Sequence, residues 1–232
     1  MSETVVMLHG FGGTARHWDR VAALLDRERY SPLALELHQA QPLDLPGAIE
    51  LVARAAPDRF TLCGYSMGGR IALHLALAMP QRVSRLIVIS ASAGLGDDVQ
   101  RAARRAADEQ LAVEIERAGI EPFIAHWRDT PLFADDPGWA QELIAEDTRR
   151  LTAQQIAGTL RAYSAGRLEP LWDRLTSLEM PVVVLAGERD TAYVEIGRRL
   201  AASIADGRLE VVTDAGHRLA LEAPEAVVAA LS

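Results

Sequence analysis

Gly64-Tyr65-Ser66-Met67-Gly68 places one hydroxyl between two glycines, with Gly69 directly after. A serine so flanked fits a sharp turn from a strand into a helix, where larger neighbours would collide. The flanks agree: Phe60-Thr61-Leu62-Cys63 reads as a strand and residues 71–78 as an apolar helix. Such a turn lifts the hydroxyl above the sheet, at a helix N-terminus where developing negative charge is favoured. Standing alone, the five residues equally describe a serine N-cap with helper glycines.

A serine hydroxyl is a poor base and a poor nucleophile until a histidine takes its proton. His217, in Ala215-Gly216-His217, follows a predicted strand over 209–212. It therefore sits at a strand's C-terminal end, where chemistry gathers in open parallel sheets. An acid must hold the imidazole in one tautomer. Asp190, four residues beyond a strand over 181–186 in Gly187-Glu188-Arg189-Asp190, is favoured. Asp214 is the rival, although its place on the loop of His217 suits a turn; Glu188 is a third candidate. Backbone N–H donors for an oxyanion come from Met67 and from Phe11 in His9-Gly10-Phe11-Gly12-Gly13. Among the other histidines, His9 is expected to brace its loop. His17, His74 and His126 read as surface or packing residues on helices, and His38 lies on an irregular loop that could approach the site. No histidine pair has metal-ligand spacing with a carboxylate, so no metal is predicted.

These groups need a scaffold, and the sequence alternates short β-branched runs with amphipathic stretches. That pattern predicts an α/β fold, a mostly parallel sheet with helices on both faces. Strands are expected over 4–8, 32–37, 60–63, 86–90, 181–186 and 209–212. Helices are expected over 15–25 capped by Thr14, over 45–56 with Pro46 in its first turn, over 66–78 ended by Pro80, near 195–204, and over 224–231. Residues 97–165 hold no convincing strand; they read as helical, broken by Pro122, Pro131 and Pro137. The expected organisation is a core of 1–96 and 166–232, with 97–165 inserted as a helical cap over the site.

With 232 residues, 49% of them hydrophobic, one domain can bury a sizeable core. The formal charge of -8 argues against a nucleic-acid partner. No apolar run is long enough to span a bilayer, and no signal-peptide pattern opens the chain. The lone Cys63 cannot form an internal disulfide, so a cytoplasmic protein is the simplest reading. All 24 basic residues are arginine, which excludes a Walker phosphate loop and a Schiff-base lysine.

The motifs resemble the α/β-hydrolase superfamily. Within it they are most similar to the MenH group, menaquinone-pathway synthases that make 2-succinyl-6-hydroxy-2,4-cyclohexadiene-1-carboxylate (SHCHC). Four stretches carry the resemblance: Leu8-His9-Gly10-Phe11-Gly12-Gly13, Gly64-Tyr65-Ser66-Met67-Gly68-Gly69-Arg70, Gly187-Glu188-Arg189-Asp190, and a segment from Gln100-Arg101-Ala102-Ala103-Arg104-Arg105 through Trp127 to Pro131-Leu132-Phe133-Ala134. The resemblance implies an α/β-hydrolase fold and an elimination: the serine acts as a base, pyruvate is expelled, and no cofactor or metal takes part. It also implies that Arg70 and Arg104 bind a tricarboxylate, that Tyr65 and Trp127 line the pocket, and that a further arginine lies at Arg149 or Arg150. Without the resemblance, Arg104–Asp108 and Arg105–Glu109 read as i,i+4 pairs on an exposed helix face. One departure stands out. A Leu-Pro-Gly-His-Gly-like turn of the family is replaced by Leu35-Glu36-Leu37-His38-Gln39-Ala40-Gln41-Pro42.

The functions in competition are thus a carbon–oxygen lyase on a small carboxylate substrate and a small carboxylesterase or acyl hydrolase with serine as nucleophile. A non-catalytic binding protein on the same fold is the third, and the apparently complete triad speaks against it. The sequence carries no signal for oligomeric state.

Overall fold

The computed structural model describes residues 2–231; Met1 and Ser232, the outer limits of the expected core segments, lie outside them. The chain runs from β1 (Glu3–Leu8) through a 3₁₀ turn, Ala15–Trp18, into α1 (Asp19–Leu24) and β2 (Tyr30–Leu35). Then come α2 (Leu45–Ala55), β3 (Phe60–Tyr65), α3 (Met67–Ala78) and β4 (Val83–Ile89). The helices α4 (Asp98–Ala118), α5 (Ile120–Arg128), α6 (Gly138–Thr148) and α7 (Ala153–Tyr163) follow, with a 3₁₀ turn at Pro131–Phe133. The last stretch is β5 (Val182–Gly187), α8 (Thr191–Ala202), β6 (Gly207–Val212), α9 (Leu219–Glu222) and α10 (Pro224–Ala229). No helix of the described residues is long and apolar enough to cross a membrane.

Among the described residues the strands form one six-stranded sheet in the order β2-β1-β3-β4-β5-β6, and every neighbouring pair is parallel. Side chains alternate across it. Val6, Leu8, Leu62, Val88 and Val184 enter one core, while Met7, Cys63, Ile87, Val183 and Leu185 enter the other. Because helices cover both faces, β3 and β5 are buried at every position, which is why they read as unbroken apolar runs. From β1 the chain goes first to one side, as β2, and then to the other, as β3. That reversal opens a crevice at the C-terminal ends of β1 and β3. The register pairs Leu8 with Gly64, so the loop carrying Phe11 and the turn carrying Ser66 emerge side by side.

Several expected boundaries shift for identifiable reasons. β2 spans Tyr30–Leu35 rather than 32–37, because residues 36 and 37 leave the sheet to bond His9: Leu37 N–H donates to its Nε2 at 2.9 Å. The helix expected over 15–25 is split, since Asp19 N–H bonds Arg16 C=O in the tighter 3₁₀ pattern. Pro122 does not break the helical segment. The break is Gly119, at φ 85°, and Pro122 sits in the first turn of α5, where a missing N–H costs nothing. The four-residue α9 is too short to show a periodicity. The helices between β4 and β5 share a small core of their own: Ala112, Ile115, Phe123, Ile156, Ala157 and Leu160. Phe11 packs against both this cluster and the main core.

Candidate active site

Ser66 lies between the end of β3 and the start of α3 with φ 52° and ψ -111°, a conformation L-residues rarely adopt. Its N–H donates to Ile89 C=O at 2.8 Å and its C=O accepts from Arg70 N–H at 3.1 Å, which pins the turn at both sides. The glycines around it are steric necessities. A Cβ on Gly64 would stand 2.4 Å from the Gly68 carbonyl oxygen, and one on Gly68 would stand 2.2 Å from that of Leu8. Backbone cannot yield as a flexible side chain would. Gly68→Ala is therefore expected to cost roughly 2–3 kcal/mol, read as a lowered urea midpoint, with loss of whatever activity depends on Ser66.

The turn aims Ser66 at His217, whose Nε2 lies 3.1 Å from Ser66 Oγ. On the other side of the ring, Nδ1 lies 2.6 Å from Asp190 Oδ2. Both partners are buried. Asp190 Oδ1 also accepts the N–H of Tyr193 at 3.4 Å. The rival acids are elsewhere: Asp214 and Glu188 are exposed, and Asp214 N–H bonds Glu188 Oε2 at 3.3 Å in a turn. Tyr193 (4.6 Å between ring centres), Tyr65 (5.5 Å) and Phe133 (5.6 Å) enclose the imidazole.

Ser66 opens onto a cavity of about 330 Å³ whose lining includes Phe11, Tyr65, Met67, Arg70, Arg104 and Trp127. Among the described residues neither Phe11 N–H nor Met67 N–H has a protein acceptor, so both are free to meet a negative oxygen. Arg70, one helical turn after the serine, donates from Nη2 to Tyr163 C=O at 3.1 Å. Its Nε is buried without a partner, and among the described residues no carboxylate is within ion-pair distance of it. Burial pulls its basicity below the ordinary arginine value. Arg104 is held by Asp108, Nε to Oδ1 at 2.8 Å, and is half-exposed. The expected Arg105–Glu109 pair does not form, because Glu109 receives Arg161 from α7.

Neither Arg149 nor Arg150 lines this cavity. Arg149 is exposed and paired with Glu121 at 2.8 Å, and Arg150 borders a separate hollow of about 110 Å³ with Arg16 and His17. The cause lies one residue earlier. Thr148 Oγ1 donates to Gly12 C=O at 2.7 Å, and Asp147 accepts Thr14 N–H and Oγ1–H at 2.8 and 2.7 Å. Those bonds dock the end of α6 on the β1 loop and turn the next residues outward. Tyr193, Thr159 and Tyr163 line the cavity without having been singled out. Only Tyr193 had a signal, three residues beyond Asp190 in the first turn of α8.

Among the described residues none of the remaining histidines hydrogen-bonds Ser66. His9 Nε2 lies 2.8 Å from Glu36 Oε1, and its ring stacks on His38 at 5.1 Å. Although burial works against it, the adjacent His9, with N–H groups of His38 and Ala15, holds the Glu36 carboxyl down at about 2. Burial, then the neighbouring His9, pushes His38 down to about 3. His38 Nδ1 meets Thr159 Oγ1 at 2.9 Å, so the segment in place of the Pro-Gly-His-Gly-like turn docks onto α7 and reaches the cavity wall through that threonine. Burial, then Arg70, lowers His74 to about 4. His17 stacks on Tyr65 at 4.8 Å, and His126 is exposed.

Comparison with known proteins agrees with this architecture. SHCHC synthase from Enterobacter sp. (strain 638) is 30% identical, the match covering 98% of this chain and 90% of that protein. A Bacillus subtilis protein that provisionally carries the same synthase name is 32% identical over 96% of this chain and 86% of its own length. The solved structure of MenH from S. aureus superposes with a TM-score of 0.89 at 26% identity, covering 99% of this chain and 91% of that one. The model of the alpha/beta hydrolase family matches residues 5–230. With that match running from the first strand to the last helix, the chain belongs to the alpha/beta hydrolase family.

Proposed function

We propose that the protein is an SHCHC synthase, a carbon–oxygen lyase that eliminates pyruvate from 2-succinyl-5-enolpyruvyl-6-hydroxy-3-cyclohexene-1-carboxylate. Arg70 carries this reading. A desolvated guanidinium without a carboxylate partner is costly, and a substrate carboxylate supplies the missing partner in the bidentate geometry that arginine favours. The chain's charge of -8 repels a trianion at long range. Capture therefore rests on Arg70 and Arg104 inside the cavity. Residues 97–165 act as a cap that supplies Arg104 and Trp127.

The chemistry follows from the triad. His217 Nε2 takes the Ser66 hydroxyl proton, and Asp190 steadies the imidazolium. Ser66 Oγ then removes the ring proton next to the succinyl ketone. The electron pair spreads onto the ketone oxygen, which Phe11 and Met67 N–H groups stabilise. Its return shifts the ring double bond and expels the enol ether oxygen as enolpyruvate, which takes a proton at carbon to give pyruvate. The products hold every atom and electron of the substrate, so no redox cofactor is required.

The experiment is pyruvate release from the cyclohexene precursor, followed with lactate dehydrogenase and NADH. Release at least about a thousandfold above the uncatalysed rate is expected; a rate at background overturns the reading. A second reading, acyl hydrolysis with Ser66 as nucleophile, is favoured by the same two free N–H groups beside the serine. A burst of p-nitrophenol from a neutral ester, with an acyl group on Ser66, would support it.

A further inference from the structure

Arg218 directly follows His217, and it is almost completely buried, with 4% of its side chain exposed. Its Nε donates to the carboxylate of Asp136, which is equally buried at 3%. This ion pair spans two parts of the chain: Arg218 belongs to the loop before α9, and Asp136 to the segment between α5 and α6. The Arg218 guanidinium also lies 3.9 Å over the ring of Phe133. Phe133 in turn presents its ring to His217 and lies 5.5 Å from Trp127 in the cavity wall.

A second grip acts on the same segment. Arg189, the residue before Asp190, donates from Nη1 to Asp135 C=O at 3.0 Å and pairs with Glu222. Glu222 accepts the N–H of Gly216, the residue before His217, at 3.1 Å. The loops that present His217 and Asp190 thus both hold residues 131–136. That segment also separates the catalytic cavity from a second one of about 300 Å³, which is lined by Asp136, Arg189, Asp190 and His217 from the other side. Leu132 borders both.

The geometry points to Arg218 and Asp136 as a positioning pair that clamps Phe133 against His217 and so fixes the imidazole relative to Ser66. Neither residue meets the substrate; they act through Phe133. Burying two charges is a poor route to stability, and apolar replacements are often as stable or more so. What a buried, hydrogen-bonded pair adds is a single orientation for the ring stacked on it. The inference rests on the reading of Ser66 and His217 as an activated pair, so its test avoids the proposed substrate.

The test is the second-order rate of Ser66 phosphonylation by a fluorophosphonate. In that step Ser66 Oγ bonds phosphorus, fluoride leaves, and the hydroxyl proton passes to His217. Arg218→Met alone strands the Asp136 charge and is expected to lower both the melting temperature and the rate. The double variant Arg218→Met/Asp136→Leu removes both charges. It is expected to recover the melting temperature while its rate stays at least about tenfold below wild type. Arg218→Lys keeps the charge without the planar stack and should fall between. A folded double variant that reacts at the wild-type rate overturns the positioning role and leaves the triad reading intact. A wild-type protein that does not react at all overturns the triad reading, and the positioning role with it.

Discussion

Ser66→Ala is expected to lower pyruvate release by about 10³–10⁴-fold, with little change in melting temperature. Among the described residues the hydroxyl's one side-chain hydrogen bond is to His217 Nε2 at 3.1 Å, so its removal is expected to leave the packing of β3 and α3 in place. What is lost in the proposed mechanism is the atom that receives the ring proton, because His217 lies behind the serine rather than in the cavity lining. A companion variant separates strain from chemistry. The backbone at Ser66 holds φ 52°, which glycine adopts at no steric cost. Ser66→Gly is therefore expected to melt higher than Ser66→Ala while being equally inactive, a trade of stability for function stored in the turn. Stopped-assay pyruvate release and calorimetry on the two variants check this. Retention of more than about a tenth of the wild-type rate by Ser66→Ala would mean that the base is another group.

The parts of this site that could be read from sequence are those whose demands are local. A strand, a serine and close glycines define a turn within a few residues, since the Gly64 and Gly68 contacts involve backbone that is near in sequence or in the adjoining strand. His217 and Asp190 are legible because a parallel sheet collects the C-terminal ends of its strands, whatever the distance along the chain. The direction of a side chain on a helix is different. Arg70 and Arg149 look alike as letters, yet Arg70 is fixed by its turn from Ser66. Arg149 is turned away by contacts between Asp147, Thr148 and the β1 loop, which no local pattern records. Glu109 was available to Arg105 on its own helix, but α7 brings Arg161 closer to it. Arg218 gives no sign of its burial, because its partner stands 82 residues away. Tertiary contacts of that kind decide which charges meet the cavity.

Arg70→Met is expected to cut turnover of the tricarboxylate by about a hundredfold and to leave hydrolysis of a neutral p-nitrophenyl ester, if any, within about threefold. A hydrogen bond to a charged group contributes about 1.5–3 kcal/mol, and each 1.36 kcal/mol is tenfold in rate, so one lost carboxylate contact spans roughly 10- to 150-fold. Methionine keeps most of the side-chain volume, so the loss is not that of a collapsed cavity. The same substitution removes a buried charge that forms no ion pair among the described residues and gives up its hydrogen bond to Tyr163 C=O. The free protein should therefore be no less stable, and its melting temperature unchanged or raised. Arg70→Lys, which keeps the charge on a flexible stem without the planar fork, should recover part of the rate. The two substrates make the outcome decisive. A residue that only supports the turn at Ser66 would slow both reactions alike and lower the melting temperature. A residue that waits, desolvated, for a carboxylate slows only the substrate that brings one.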